Sequence, residues 1–237
     1  MDNKFEVSIF RYDPAEDFGP RYEKYDVPYR DGMTVLEVLK YVYDHYSPIA
    51  FRYGCRIKAC GTCAVMMNSQ PVLACKEKAQ KVMTIEPLPI LPVVKDLVFD
   101  FDPYFDKRAK IRPFIEPPKA NIEMPRSLSY EVVNKYRECE ICIECLICDA
   151  ACPVVRESKQ RFAGPSVMLE IARLYREPQD DGDRIGLAIS EGLLQCNLCG
   201  KCSEVCPVGI KVHEILEGLQ QIAQREMESQ RPLRMNK

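Results

Sequence analysis

The strongest constraint on this chain is one cysteine pattern written twice. Residues 142–153 read Cys-x2-Cys-x2-Cys-x3-Cys-Pro through Cys142, Cys145, Cys148, Cys152 and Pro153. Residues 196–207 repeat it through Cys196, Cys199, Cys202, Cys206 and Pro207. Sulfide-bridged iron takes thiolates in sets of four, and in this run the fourth cysteine serves the other cluster. The spacing therefore assigns Cys142, Cys145, Cys148 and Cys206 to one [4Fe–4S] cluster. Cys152 joins Cys196 and Cys202 at a second site, where Cys199 stands in position to complete the set. Such a crossing ties two segments together through metal, so this part of the chain is expected to fold only with its clusters.

A third group precedes the repeat: Cys55-x4-Cys60-x2-Cys63, with Cys75 after eleven intervening residues. This is the plant-type [2Fe–2S] spacing. Ala59, Gly61 and Thr62 supply the small side chains that a tight loop needs. Structural zinc also uses Cys-x2-Cys, but three cysteines within the nine residues 55–63 fit the iron–sulfur spacing better. Cys139 is in excess of these sets and reads as a small buried thiol, because only the run from Cys142 ends in Cys-Pro. His45 and His213 fall on expected helices away from the cysteine loops and read as structural or surface residues.

The 13 cysteines are an odd number, which fits disulfide pairing poorly. The start, Met-Asp-Asn-Lys-Phe-Glu, lacks the apolar h-region of a secretory signal, and no stretch approaches the roughly 18 apolar residues of a membrane span. A reducing cytosol is the expected setting, and there thiols bind metal rather than pair. Lys plus Arg is 33 against 35 Asp plus Glu, a formal charge of −2, without the basic excess of a nucleic-acid binder. Neither Gly-x-Gly-x-x-Gly nor Gly-x-Ser-x-Gly is present. Electron transport, with redox work done by the clusters and no catalytic side chain, is the expected role.

Two domains are expected, at 1–106 and 107–237. Phe5, Val7 and Ile9 alternate as a half-buried strand, with 22–29 as its hairpin partner after the turn at Asp17–Pro20. Thr34 and Glu37 form a capping box ahead of a helix whose apolar face is Val35, Val38, Leu39, Val42, Tyr43 and Tyr46. Short strands follow near 64–67 and 82–86. Residues 87–125 hold eight of the 18 prolines and are expected to run extended over the surface. Gly164-Pro165-Ser166 opens a helix bearing Val167, Ile171, Leu174 and Tyr175. Val212, Ile215, Leu216, Leu219, Ile222 and Ala223 mark another, and the last dozen residues are expected to fray.

Together these residues resemble the iron–sulfur subunit of the succinate dehydrogenase and fumarate reductase (complex II) family over nearly the whole chain. The resemblance includes Cys55-Arg56, Leu73-Ala74-Cys75, Lys95-Asp96-Leu97-Val98 and Phe162-Ala163-Gly164-Pro165. It implies an α+β protein: an N-terminal β-grasp plant-type ferredoxin domain and a C-terminal all-α domain like two-cluster bacterial ferredoxins. It also implies an FAD-bearing flavoprotein partner that interconverts succinate and fumarate, and a membrane anchor with quinone and haem b. The chain would then sit peripherally at the cytoplasmic face of the membrane. Lys58 stands where the family has a small residue. The region Val154-Val155-Arg156-Glu157 lacks the tryptophan of ubiquinone-reducing members, which looks closer to menaquinone-linked fumarate reductases. Cys199 stands where the family's third cluster, a [3Fe–4S], has a non-cysteine residue, whereas ligand count gives [4Fe–4S]. A subunit linked to thiol or heterodisulfide chemistry, and a free-standing electron carrier, are the competing readings.

Overall fold

The computed structural model describes residues 4–117, 129–157 and 162–229. Its first half is a five-stranded sheet with one helix packed on it. Strand β1 (Lys4–Arg11) pairs antiparallel with β2 (Arg21–Pro28) and parallel with β5 (Val82–Glu86). The hairpin of β3 (Ala64–Met67) and β4 (Gln70–Leu73) completes the order β2-β1-β5-β3-β4. Phe5, Val7 and Ile9 all point into the core, and Phe5 lies opposite Val27. One face of the strand pattern is thereby buried against helix α1 (Val35–His45).

Helix α1 starts where its capping box places it. The Thr34 Oγ1 accepts from the Glu37 N–H at 3.3 Å, and Glu37 Oε2 accepts from the Thr34 N–H at 2.8 Å. Val35, Val38, Leu39 and Val42 are buried as expected, joined by Leu36. Tyr43 and Tyr46 are not part of that core, each being half exposed. An amphipathic ring needs only one covered edge: Tyr46 packs edge-on against Tyr25 at 5.4 Å and donates its hydroxyl to the Asp26 carbonyl.

The proline-rich stretch is more ordered than an extended run. It contains the small hairpin β6 (Val93–Lys95) and β7 (Val98–Phe99), then helix α2 (Asp102–Lys110). Pro103 sits in the first turn of α2, where its missing N–H costs no hydrogen bond. The Pro118 and Pro125 part of that stretch lies outside the described residues.

The second half is helical: α3 (Tyr130–Glu140), α4 (Ile147–Ala151), α5 (Pro153–Glu157), α6 (Pro165–Tyr175), α7 (Arg184–Ser190), α8 (Lys201–Glu204) and α9 (Val212–Ser229). Val167 and Ile171 of α6 share the core with Val212, Leu216 and Leu219 of α9, with α7 alongside, and Leu174 is buried too. Tyr175 lies at the edge of that face, 43% exposed. Helix α9 continues through Met227 to Ser229, so the expected fraying does not reach into its last described turn. The rest of that tail lies outside the described residues.

Two buried arginines fasten the loops. Arg11 reaches Asp96 at 3.0 Å and the Pro48 carbonyl at 2.9 Å, joining β1 to the β6–β7 turn. Arg184 is 1% exposed and binds Asp180 through both ends of its fork at 2.7 Å. It also donates to the carbonyls of Ile111, Arg112 and Phe114, the segment that leaves α2.

Candidate iron–sulfur sites

The first cysteine loop is coiled by residues in the left-handed region. Arg56, Lys58 and Gly61 have φ of 59°, 56° and 71°. That conformation is comfortable only for glycine, which is the physical reason a small residue suits the position of Lys58. The coil turns backbone N–H groups inward. Ile57, Ala59 and Cys60 donate to Cys55 Sγ at 3.4, 3.2 and 3.3 Å, and Cys55 N–H donates to Cys60 Sγ at 3.4 Å. With the Thr62 hydroxyl 3.2 Å away as well, the Cys60 thiol is pulled down to about 6, chiefly by the Cys55 N–H. Donors aimed at sulfur stabilise a thiolate, the form that binds metal.

Strand register brings the other two cysteines of this group together. Ala64 lies opposite Leu73, and the Ala74 N–H continues the ladder to the Cys63 carbonyl at 3.0 Å. Cys63 and Cys75 therefore flank one end of the β3–β4 hairpin in side-chain contact, and burial pushes the Cys63 thiol up to about 12.

In the helical half, Cys142, Cys145 and Cys148 line one apolar cavity with Cys206, which comes from the other run. Leu169 of α6 and Val212 of α9 form part of its wall. Burial pushes Cys142 up to about 11 and Cys145 up to about 12, and Cys148 well above the ordinary thiol value. Backbone N–H groups partly offset this burial, those of Glu144 and Ile147 at Cys142 and Cys145 and that of Ile210 at Cys206, 3.3 Å away, and a bound cation tips the balance fully to thiolate. The donor set fits an iron–sulfur cluster.

Cys152, at the end of α4, lies close to Cys196 and Cys202 of the second run. Burial raises all three, and Cys202 reaches about 12. Cys199 is exposed, with its N–H bonded to Asn197 Oδ1 at 3.3 Å. The two runs share a backbone trace: Glu144 and Leu146 have φ of 51° and 61°, and the corresponding Leu198 and Gly200 have 55° and 80°. Cys139 is buried on the last turn of α3, raised by burial, with the Arg176 guanidinium 3.4 Å from its sulfur. All thirteen cysteines are unpaired thiols. His45 bonds the Tyr41 carbonyl at 3.0 Å and stacks on that ring, while His213 pairs with the Ser203 hydroxyl at 2.9 Å.

Sequence reasoning missed the groups that brace these loops. Asp149, next to Cys148, is 5% exposed and accepts from the Ser166 N–H at 2.9 Å and hydroxyl at 2.5 Å. It thereby caps α6, and burial raises its carboxyl. Gly164 has φ of 112°, and a Cβ there would lie 2.8 Å from Asp149 Oδ1, so the Gly-Pro-Ser start of α6 leaves room for this carboxylate. Arg108 of α2 reaches Glu144, beside Cys145, at 3.1 Å. In the sequence their one mark is position within the first run, Asp149 after Cys148 and Glu144 before Cys145.

Comparison with known proteins agrees with this layout. Residues 6–106 match the 2Fe-2S iron-sulfur cluster binding domain family, and residues 138–210 match the 4Fe-4S dicluster domain family. The chain is 37% identical over 222 residues to a fumarate reductase (CoM/CoB) subunit of Methanothermobacter marburgensis, covering 93% of this chain and 44% of that one. It thus spans less than half the length of that relative. It is 32% identical over 220 residues to the fumarate reductase iron-sulfur subunit of Haemophilus influenzae, covering 85% of this chain and 86% of that one. A chain of the Mycobacterium smegmatis Sdh1 complex in the apo form superposes with a TM-score of 0.88 at 31% identity, covering 98% of this chain and 100% of that one. With a family model matched in each half and a relative and a solved structure alike over most of their own length, this chain belongs to the iron–sulfur subunit family of fumarate reductases and succinate dehydrogenases.

Proposed function

We propose that the chain is the electron-relaying iron–sulfur subunit of a membrane-bound quinol:fumarate reductase or succinate dehydrogenase. It would sit between a flavoprotein carrying FAD, which interconverts fumarate and succinate, and a membrane anchor carrying quinone and haem b. No helix among the described residues is long and apolar enough to cross a membrane, so attachment at the cytoplasmic face falls to the anchor. The observation that carries the reading is the shared cavity of Cys142, Cys145, Cys148 and Cys206, two runs meeting at one site. Beside it, the plant-type loop offers a second and separate set of ligands. We take the two domains to meet along α2, with 1–106 and 107–237 as their extents.

The residues divide the work. Cys55, Cys60, Cys63 and Cys75 would hold the [2Fe–2S] cluster, and the inward N–H groups of the first loop favour their thiolate form. Cys142, Cys145, Cys148 and Cys206 would hold a [4Fe–4S] cluster in a dry cavity, with Asp149 fixing the start of α6 at its back. Cys152, Cys196 and Cys202 would hold the third. When bound, the clusters supply one-electron carriers at fixed positions. We read Cys199 as the fourth ligand of a third [4Fe–4S], rather than the [3Fe–4S] usual in the family. The matching left-handed positions around Cys145 and Cys199 support this.

The test is purification of the native complex, with assay of fumarate reduction by a quinol and cluster spectroscopy. Co-purifying flavoprotein and anchor are expected. An oxidised third cluster that is silent in EPR is expected too, and a full-intensity [3Fe–4S] signal unchanged in Cys199→Ala would refute the four-iron reading. A second reading, reduction of fumarate with electrons from a thiol or heterodisulfide couple, is favoured by the 37% identity to a relative named for CoM/CoB. A complex active with thiols and inert to quinols would select it.

A further inference from the structure

The two halves touch at one point where both backbones belong to cysteine loops. Gly61, between Cys60 and Cys63, is buried. A Cβ at that position would lie 2.4 Å from the Ile143 carbonyl oxygen, 3.0 Å from Cys145 Cβ and 3.1 Å from Cys145 Cα. Ile143 lies between Cys142 and Cys145. The first loop therefore rests directly on the backbone that carries two ligands of the helical half, with no side chain between them. Backbone atoms cannot swing aside as the end of a flexible side chain can, so any β-carbon at 61 must push the two loops apart.

Neighbouring contacts hold this approach in register. Arg108, on the helix that links the halves, bonds Glu144 at 3.1 Å and lies 3.7 Å from Glu170. Helix α4, which carries Cys148, packs against β4, the strand that ends beside Cys75. The contact is a dense seam of short connections, and the buried apolar residues of the two halves join into one continuous cluster around it.

We propose that Gly61 is a positioning residue: its missing side chain sets how closely the [2Fe–2S] centre approaches the [4Fe–4S] centre, and so sets their electronic coupling. The proposal rests on the relay reading above. The step it serves is a single electron leaving one reduced centre and arriving at the other. No bond is made or broken and no proton moves. Electron transfer falls steeply with separation, so a displacement forced by one methyl group acts on rate without touching a ligand.

Two demands meet at Gly61, a left-handed φ and an absent Cβ, and substitutions separate them. Asn tolerates φ near +71° better than Ala does, yet both carry a Cβ. If backbone conformation alone mattered, Gly61→Asn would behave like the parent and only Gly61→Ala would fail. If the approach matters, the two variants behave alike. Gly32 gives the control: its φ is 74°, and nothing lies within 4 Å of a Cβ built there. Gly32→Ala carries the same kind of strain in the same half of the molecule without altering the seam.

The experiment uses the full chain with its clusters, reduced in steps. EPR of the reduced [2Fe–2S] centre is recorded with the [4Fe–4S] centre first oxidised and then reduced. In the parent, reduction of the second centre is expected to speed relaxation of the first through spin–spin interaction. Gly61→Ala and Gly61→Asn should both lose most of that enhancement at unchanged iron and sulfide content, while Gly32→Ala keeps it. Unchanged enhancement in the Gly61 variants overturns the proposal, as does its absence from the parent or its retention in Gly61→Asn alone. Loss of the [2Fe–2S] centre itself in both Gly61 variants also overturns it, because the residue would then serve only the assembly of its own loop. A parent chain that takes up no clusters would refute the relay reading instead, so the two failures are distinguishable.

Discussion

Replacing Arg184 with Met removes a buried charge while keeping an unbranched apolar stem of similar reach. Arg184 makes two bonds to Asp180 at 2.7 Å and donates to three carbonyls at 3.0, 3.1 and 2.8 Å. Both side chains of the pair are about 1% exposed, so water cannot take over these bonds. Breaking a buried pair by deleting one partner costs about 3–5 kcal/mol, a large share of the roughly 5–15 kcal/mol that keeps a domain folded. Segment 111–116 loses its anchor at the same time. In urea titrations of the cluster-loaded protein followed by circular dichroism, Arg184→Met is expected to unfold the helical half at much lower denaturant. Asp180→Asn in the Arg184→Met background should restore part of the loss by removing the stranded carboxylate. The pair also sets an acid dependence. Burial pushes the Asp180 carboxyl up, but the Arg184 guanidinium and the Glu116 N–H outweigh it and hold the carboxyl below its usual value. The unfolded chain then binds the proton more readily. This contribution is fully present above the unfolded value of about 3.9 and is lost as pH falls through the lower folded value. It should vanish in Arg184→Met. A loss below about 1 kcal/mol, the worth of one ordinary hydrogen bond, with the acid dependence intact, would refute the reasoning.

Cys75→Ser should remove or perturb the [2Fe–2S] signal and spare the other two centres, because its partners all come from the sheet half; EPR and iron content check this. Cys206→Ser should damage the cluster of the first run, since Cys206 shares the cavity of Cys142, Cys145 and Cys148; damage confined to the third cluster would contradict the crossed assignment. Thr34→Ala should cost about 1 kcal/mol of stability through loss of the cap, measurable by thermal denaturation, with cluster content unchanged.

What was legible in the sequence was whatever short-range chemistry determines. Cysteine spacing is fixed by cluster geometry, and the Thr34–Glu37 box by hydrogen bonds three residues apart, so both could be read directly. The alternation through Phe5, Val7 and Ile9 identified β1 for the same reason. The strand expected to deliver Cys75 had no legible bounds because Pro71 lies within β4; proline is tolerated there because the strand is at the sheet edge. Its signal was the two-residue turn at Asn68 and Ser69, both left-handed with φ of 48° and 64°. Helix α2 hid behind composition, with prolines suggesting an extended chain although Pro103 sits at a permitted place. The hold of Arg184 on segment 111–114 and the close approach at Gly61 were illegible because those partners lie 70 or more residues away and are mostly backbone atoms, which carry no residue identity to read; only the Arg184–Asp180 pair, four residues apart, is local.

The left-handed positions in the cysteine loops have a consequence for how the protein ages. Arg56, Lys58, Glu144, Leu146 and Leu198 are side-chain-bearing residues held where each costs roughly 1–2 kcal/mol. Strung along three short loops, they are strained turns that metal–sulfur bonds would hold together with the inward N–H groups at Cys55 and Cys60. Loss of an iron would leave the loop with the hydrogen bonds alone against that strain, and re-insertion would have to find it wound. A bleached subunit should open to proteolysis first at these turns and regain its iron far more slowly than it lost it.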